Sequence, residues 1–418
     1  MSFENISLGK TSIEIIDGDR GKNYPKQNEF TEKGYCLFLS AKNVTTEGFE
    51  FSEKNFISAE KDSLLRKGKL QRNDIVLTTR GTVGNVAYYH NRVYYNNIRI
   101  NSGMVILRVN KNEFFPDFVY WLFRSSLIQN QIKSIKTGSA QPQLPIMIMK
   151  NLTLIKPELD SQQKIASILS TLDDKIELNN RMNKVLEQMA QAIFKQWFVD
   201  FEFPNENGEP YKSSGGEMEW CEELGKEIPK GWRIGCLADI AEILMGQSPK
   251  SEFYNTTGEG LPFHQGVANY GYRYPVHNVF CSHLLRVARK GSILMSVRAP
   301  VGRLNIADRD IVIGRGLCAI TPKHNYYSYL FALLQTVFAV EDRYGSGTIF
   351  NSISKKELEN IKIIIPTMEL MRLFDEVASS YDSKISNNCN QISLLSQTRD
   401  TLLPKLMSGE IDVSEIEL

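Results

Sequence analysis

From Leu159 to Trp197 the chain reads LDSQQKIASILSTLDDKIELNNRMNKVLEQMAQAIFKQW, with no glycine or proline to interrupt it. Positions 165, 169, 172, 176, 179, 183, 186, 190, 193 and 197 advance by alternating steps of four and three. They carry Ile, Leu, Leu, Ile, Asn, Asn, Leu, Ala, Ile and Trp, the a/d pattern of a heptad. The spacing predicts one helix of about 39 residues, roughly 58 Å long at 1.5 Å per residue. Asp160 with Gln163 would form a capping box at its start. One apolar seam on so long a helix must be covered by another element. A second stretch repeats the spacing. Positions 374, 378, 381, 385, 388, 392, 395, 399, 402 and 406 carry Phe, Ala, Tyr, Ile, Asn, Ile, Leu, Arg, Leu and Leu, and Thr367 is placed to cap that helix. Asn179 and Asn388 fall at matching points of the two seams. A polar residue there fixes register and partner at a cost in stability; the alternative is an asparagine tolerated on a frayed helix.

The repeat extends beyond the helices. At an offset of 209 residues, Asn151-Leu152-Thr153-Leu154 faces Asn360-Ile361-Lys362-Ile363, and Pro157 faces Pro366. Asp74-Ile75-Val76-Leu77-Thr78-Thr79-Arg80 resembles Ser292-Ile293-Leu294-Met295-Ser296-Val297-Arg298, with Val83-Gly84 opposite Val301-Gly302. Glu14-Ile15-Ile16-Asp17-Gly18 likewise resembles Glu242-Ile243-Leu244-Met245-Gly246. Short apolar runs bounded by Gly, Asn and Pro mark strands at 74–79, 86–89, 104–109, 152–156, 293–297, 311–313 and 361–365, with short helices at 117–126 and 327–338. The expected fold is therefore α+β: two repeated β-rich domains joined by two long antiparallel coiled-coil helices with pseudo-twofold symmetry. The boundaries expected are 1–157 and 232–366 for the domains, 158–203 for the first helix, 204–231 for a central linker, and 367–418 for the second helix and tail.

The net charge of +1 hides alternation. Residues 1–150 hold 21 lysines and arginines against 14 acids, and residues 231–366 hold 15 against 10. The intervening segments are acidic: 6 against 8 in 151–204, 3 against 7 in 205–230, and 4 against 9 in 367–418. Basic blocks attract polyanions, although chance clustering of solvated charge would look the same. No apolar run reaches the ~18 residues that cross a bilayer, and no secretory leader is visible. The six cysteines are scattered without a C-x-x-C, as expected of thiols in a reducing cytoplasm. Gly9-Lys10-Thr11 lacks the first glycine of a phosphate loop, and Cys281-x-His283 with His277 lacks a fourth zinc ligand. No nucleophile elbow, zinc-protease or methyltransferase motif occurs. The expectation is a chain with no catalytic residues and no metal.

Three loops carry chemistry suited to DNA. The first is Thr79–Gly84 with its repeat, from which Arg80, Thr82 and Gly84, and Arg298, Gly302 and Arg303, are candidates. An arginine beside a tight loop can meet a phosphate or a guanine edge; equally, it can pair with a neighbouring acid. The second supplies Ser139, Gln141 and Gln143, and in the repeat Ser346, Thr348 and Asn351, small polar groups able to bond phosphates and base edges, or a plain surface turn. The third, Asp17–Lys26, supplies Arg20, Lys22, Asn23 and Tyr24.

These residues resemble a known family. The junction GSAQPQLPIMIMKNLTLIKPELDSQQKIASILSTL (138–172), the central WFVDFEFPNENGEPYKSSGGEMEWCEELGKEIPKGW (197–232) and the ending LPKLMSGEI (403–411) are similar to the specificity subunits of Type I restriction-modification systems. The second copy departs more, with Arg399 on its seam and no Gln-Lys-Ile-Ala start. The resemblance implies two target-recognition domains, each reading half of a bipartite double-stranded DNA site, with the helices as a spacer. It implies two modification subunits and restriction subunits as partners in host defence. S-adenosylmethionine, ATP and Mg would belong to those subunits, with no cofactor bound by this chain and no membrane contact. The alternative is a coiled-coil scaffold whose basic domains bind protein or RNA.

Overall fold

The computed structural model describes residues 3–136, 142–339 and 352–417. The chain divides into two compact units, Met1–Ile176 with Ser393–Leu418, and Glu177–Ile392.

The first unit is built on an antiparallel sheet in the order Glu14–Asp17, Met104–Arg108, Ile75–Thr78, Val86–Tyr88. The second has the same topology: Ala241–Met245, Leu317–Pro322, Ile293–Ser296, Leu304–Ile306. Each adds a two-stranded ribbon, Glu4–Ser7 with Thr153–Lys156 and Arg233–Cys236 with Lys362–Ile365. Even single bonds recur: Leu8 N donates to Leu152 O at 2.8 Å, and Leu237 N to Ile361 O at 3.0 Å. The units differ in their outer sheets. The first carries three strands around Cys36–Phe38, and the second five around Leu261–His264.

The central strands are buried on both faces, which is why they read as continuous apolar runs rather than alternating ones. Ile75, Val76, Leu77, Leu107, Ile293, Leu294 and Met295 all lie in the core. Helix Pro116–Arg124 closes the first core, with Trp121 donating Nε1–H to Ser170 Oγ of the first long helix at 3.0 Å. Tyr327–Val337 does so in the second, where Asp375 of the second long helix accepts the amides of Ser328 and Tyr329 at 2.8 and 3.1 Å.

The long helices span Leu159–Phe194 and Met368–Ser408, 36 and 41 residues. Not one of the twenty seam positions is solvent-exposed. The start of the first helix differs from expectation. It begins at Leu159, so Asp160 lies inside the first turn and pairs with Lys164 at 2.8 Å. Gln162, not Gln163, turns back: its Oε1 accepts from Phe115 N at 2.8 Å and its Nε2 donates to Pro157 O at 2.8 Å. At the second helix, Thr367 Oγ1 accepts from Leu370 N at 3.4 Å, as a cap should.

Within each unit the two helical portions run antiparallel. In the first, Asp173 accepts from Arg399 at 2.6 Å, and Lys164 donates to Ser414 O at 2.9 Å. The seam arginine is thus a buried ion-pair partner, also held by Asp400 at 2.9 Å. In the second, Asn179 Nδ2 donates to Gln391 at 3.1 Å, and Asn388 Nδ2 donates to Asn183 Oδ1 at 2.8 Å. Asn183 in turn donates to Cys389 Sγ at 3.6 Å. The polar layer is therefore Asn183 with Asn388, while Asn179 Oδ1 is buried without a partner. An orphaned buried carbonyl costs free energy, and a paired one does not. Asn179→Leu is thus expected to leave the helix pair unchanged or firmer by ~1 kcal/mol. Asn388→Leu, which strands the Asn183 carbonyl, is expected to weaken it by ~1–3 kcal/mol. Urea unfolding of both variants checks the contrast, and equal effects would contradict it.

A hairpin closed by the Tyr270–Pro275 bridge brings Arg273 between the helical portions of the second unit. The guanidinium is 4 % exposed, lies 4.1 Å from the Phe331 ring, bonds Asp382, and sits 3.6 Å from Glu187.

Candidate nucleic-acid interface

The central strand of each main sheet ends in a hydroxyl residue, Thr78 or Ser296, and the chain then reverses through a loop back to Asn85 or Arg303. The same hydrogen bonds frame the reversal in both units. Thr78 Oγ1 donates to Thr82 O and accepts from Asn85 N at 2.9 Å, and Ser296 Oγ donates to Pro300 O and accepts from Arg303 N at 2.9 Å. The glycine amides at 84 and 302 each donate to the strand carbonyl at 3.0 Å. Leu144 N reaches Thr79 O at 2.9 Å, and Ile353 N reaches Val297 O at 3.1 Å, so Arg80 is bridged to Gln143 and Arg298 to Ser352. Gly84 and Gly302 have φ of 103° and 95°, a region closed to most side chains. At Gly302 an added Cβ would also lie 2.8 Å from Phe338. Both glycines are buried, and their part is to shape the loop.

This scaffold leaves Arg80, Thr82, Arg298 and Arg303 on the surface. Among the described residues no side-chain partner holds the guanidinium of Arg80 or of Arg298.

Arg80 opens on a cleft of about 270 Å³, also lined by Asp17, Arg20 and Gln143. Arg20 is held there by Asp17 at 3.1 Å. Beside it, Lys22, Asn23 and Arg66 line a second cleft of about 300 Å³. Buried Asp19 organises this region: its carboxylate accepts from Gly21 N at 2.7 Å and Arg66 N at 2.8 Å. The Gly21 amide bond is the main reason that the carboxyl is held below its usual range. Asn23 Nδ2 is spent on Leu64 O at 3.2 Å. Tyr24 lies edge-on to Phe38, with centroids 5.6 Å apart, so its ring belongs to the domain's packing. Ser139, Gln141, Ser346, Thr348 and Asn351 lie outside the described residues.

Several residues of this region were not singled out from sequence. Arg66 rides on a segment whose carbonyls at 62, 65 and 67 accept from Arg99 at 2.8, 3.0 and 2.7 Å. Arg99 also pairs with Asp62, and both are buried. Burial opposes the Asp62 charge, yet hydrogen bonds from Lys69 and Arg99 hold its carboxyl below the usual range. Burial, with Asp62 alongside, pushes the Cys36 thiol up to about 12.

The scattered His and Cys residues do not converge. His277 lies between His264, at 3.0 Å, and Asp308, at 2.8 Å, while Cys281 donates to His283 O at 3.3 Å. Burial and the neighbouring His277 lower His264 to about 4. Among the described residues no group of three or more His, Cys, Asp or Glu is arranged to hold a metal ion.

The sequence profile described as "Type I restriction modification DNA specificity domain" matches residues 13–188 and 229–391. A putative type I restriction enzyme MjaX specificity subunit of Methanocaldococcus jannaschii is 29 % identical over 408 residues, covering 96 % of this chain and 92 % of that one. The MjaIX specificity subunit of the same organism is 30 % identical over 363 residues, covering 82 % and 79 %. The crystal structure of a Type I restriction-modification S subunit from M. genitalium shares the fold, with a TM-score of 0.56 at 18 % identity, covering 97 % of this chain and 96 % of that one. The two profile matches fall on the two units that build the same arginine-tipped loop, and the protein belongs to the family of Type I restriction-modification DNA specificity subunits.

Proposed function

We propose that each unit reads one half of a bipartite double-stranded DNA site, with the two long helices setting the distance between half-sites. The observation that carries this reading is the duplicated loop: two domains present, from one hydrogen-bonded frame, an arginine that no side chain among the described residues holds. A duplex offers successive half-sites on one side about one helical turn apart, which suits a duplicated reader. The chain itself supplies specificity and no catalysis. Two modification subunits dock on it with S-adenosylmethionine, and restriction subunits join with ATP and Mg. A second apolar stripe on the first long helix supports docking there: Leu178, Val185 and Met189 are exposed at heptad spacing away from the seam. No described helix is long and apolar enough to cross a membrane. The working site of such a subunit is the cytoplasm, with the DNA.

Random-site selection with the complex of this chain and its modification subunits tests the reading. The expected result is two short defined half-sites separated by a fixed non-specific gap, with binding that weakens steeply with salt. A selection that returns no split consensus would end it. A bare scaffold would instead keep its DNA preference when residues 1–150 are exchanged for another domain.

A further inference from the structure

We infer that Arg80 and Arg298 hold the phosphodiester backbone and read no base, and that the first half-site is read by the neighbouring loop carrying Arg20 and Lys22 together with Arg66, on the segment that Asp19 ties to it. The inference rests on the reading above and assigns a division of labour within it.

The argument comes from comparing the two copies. Each loop is fixed by the same hydroxyl-to-carbonyl bond, the same amide-to-hydroxyl bond, the same glycine amide and the same bridge to the segment beyond. The arginine therefore leaves the sheet at the same place in both units. One side chain held in one frame meets one chemistry. Half-sites of different sequence share only their sugar–phosphate backbone, where contacts position a protein without carrying sequence information.

The copies part company immediately beside this loop. Gly18 and Gly246 occupy matching points, and at each an added Cβ would lie 2.2 Å from a carbonyl of the opposing strand connection, Asn101 O or Gly314 O. Beyond that shared glycine the first unit continues as Asp19-Arg20-Gly21-Lys22-Asn23, tied to Arg66 through the Asp19 carboxylate. The second continues as Gln247-Ser248-Pro249-Lys250, tied through Ser248 Oγ, which donates to Gln265 at 2.7 Å and accepts from Arg315 N at 3.1 Å. Different donors hang from a common frame, as readers of different bases require.

Arg80→Ala, Arg80→Lys, Arg298→Ala and Arg66→Ala, each in the complex with its modification subunits, test the division. All three side chains are exposed, so the fold should survive, which circular dichroism of each variant checks. Loss of Arg80 or Arg298 is expected to weaken binding about tenfold on every sequence. It should lower the slope of log K against log salt by about one and leave the selected consensus unchanged. Arg80→Lys should retain the slope, because a phosphate accepts a point charge where a bidentate guanine contact does not. Arg66→Ala should relax one half-site only. Relaxation of a base position by Arg80→Ala or Arg298→Ala would overturn the inference, as would a consensus unchanged by Arg66→Ala. If the wild-type complex selects no split consensus at all, the underlying reading fails first.

Discussion

Arg273→Ala is expected to destabilise the Glu177–Ile392 unit by ~3–5 kcal/mol, the scale for removing one partner of a buried ion pair. For a unit of this size that is a fall of roughly 6–20 °C in unfolding temperature. The guanidinium bonds Asp382 and faces Glu187, and it covers the Phe331 ring. Without it, Asp382 is left beside Glu187 with no cation between them. Glu187 retains the Tyr272 hydroxyl at 2.7 Å, so most of the loss falls on Asp382. One nitrogen, Nη1, makes no hydrogen bond, and its distance of 3.6 Å to Glu187 marks attraction without a formed bond. The pair is therefore a positioning device rather than a source of large net stability.

That distinction is measurable. Arg273→Met with Asp382→Leu removes both charges and keeps the volume, and such replacements are commonly neutral or better. The double variant is expected to unfold within ~1 kcal/mol of the parent. Calorimetry of the single and double variants separates the cases. If Arg273→Ala proves harmless, the hairpin is held by packing alone. The functional signature is different: with the hairpin freed from both helical portions, the gap between selected half-sites should broaden even in the stable double variant.

The elements that sequence made legible are those with a period or a copy. The twenty seam positions stand out because steps of four and three persist over about nine turns of each helix, and all are covered. The arginine loops stand out because they occur twice. What stayed hidden has neither property. Arg99 meets Asp62 across 37 residues, and Arg273 meets Asp382 across 109, contacts that no spacing rule marks. Asn179 and Asn388 hold matching repeat positions yet meet different partners, Gln391 and Asn183. In an antiparallel pair, equivalent positions need not face each other, and Asn388 finds Asn183 instead. Tyr24 was singled out for its polar setting, but the apolar side of its ring found Phe38. The capping residue slipped by one because Gln162 is drawn to the Phe115 amide of the domain, a tertiary partner invisible to a local motif.

Arg99→Ala should produce the largest loss in the first unit, ~3–5 kcal/mol, together with loss of reading at one half-site. Arg99 is 5 % exposed and binds three carbonyls between Asp62 and Lys67 as well as the Asp62 carboxylate. Removing it takes the side-chain donor from all three carbonyls, of which Asp62 O keeps the Leu65 amide at 3.3 Å, and leaves the Asp62 carboxylate with Lys69 as its remaining ion-pair partner. The segment then no longer presents the Arg66 amide to Asp19, so both the Lys22 loop and the Arg66 cleft lose their shape. Acid should act in the same direction. The Asp62 and Asp19 carboxyls are both held below their usual range in the folded state. The stability they contribute is present above about pH 4 and is lost as pH falls through their lowered values. Hydrogen exchange at 62–68 should therefore accelerate in Arg99→Ala at neutral pH, and in the parent chain only below about pH 4. Selection with the variant complex should retain the second half-site and lose definition at the first. Protection at 62–68 equal to the parent's would show that the segment stands without Arg99, and the cleft's shape would then have to come from the Asp19 bonds alone.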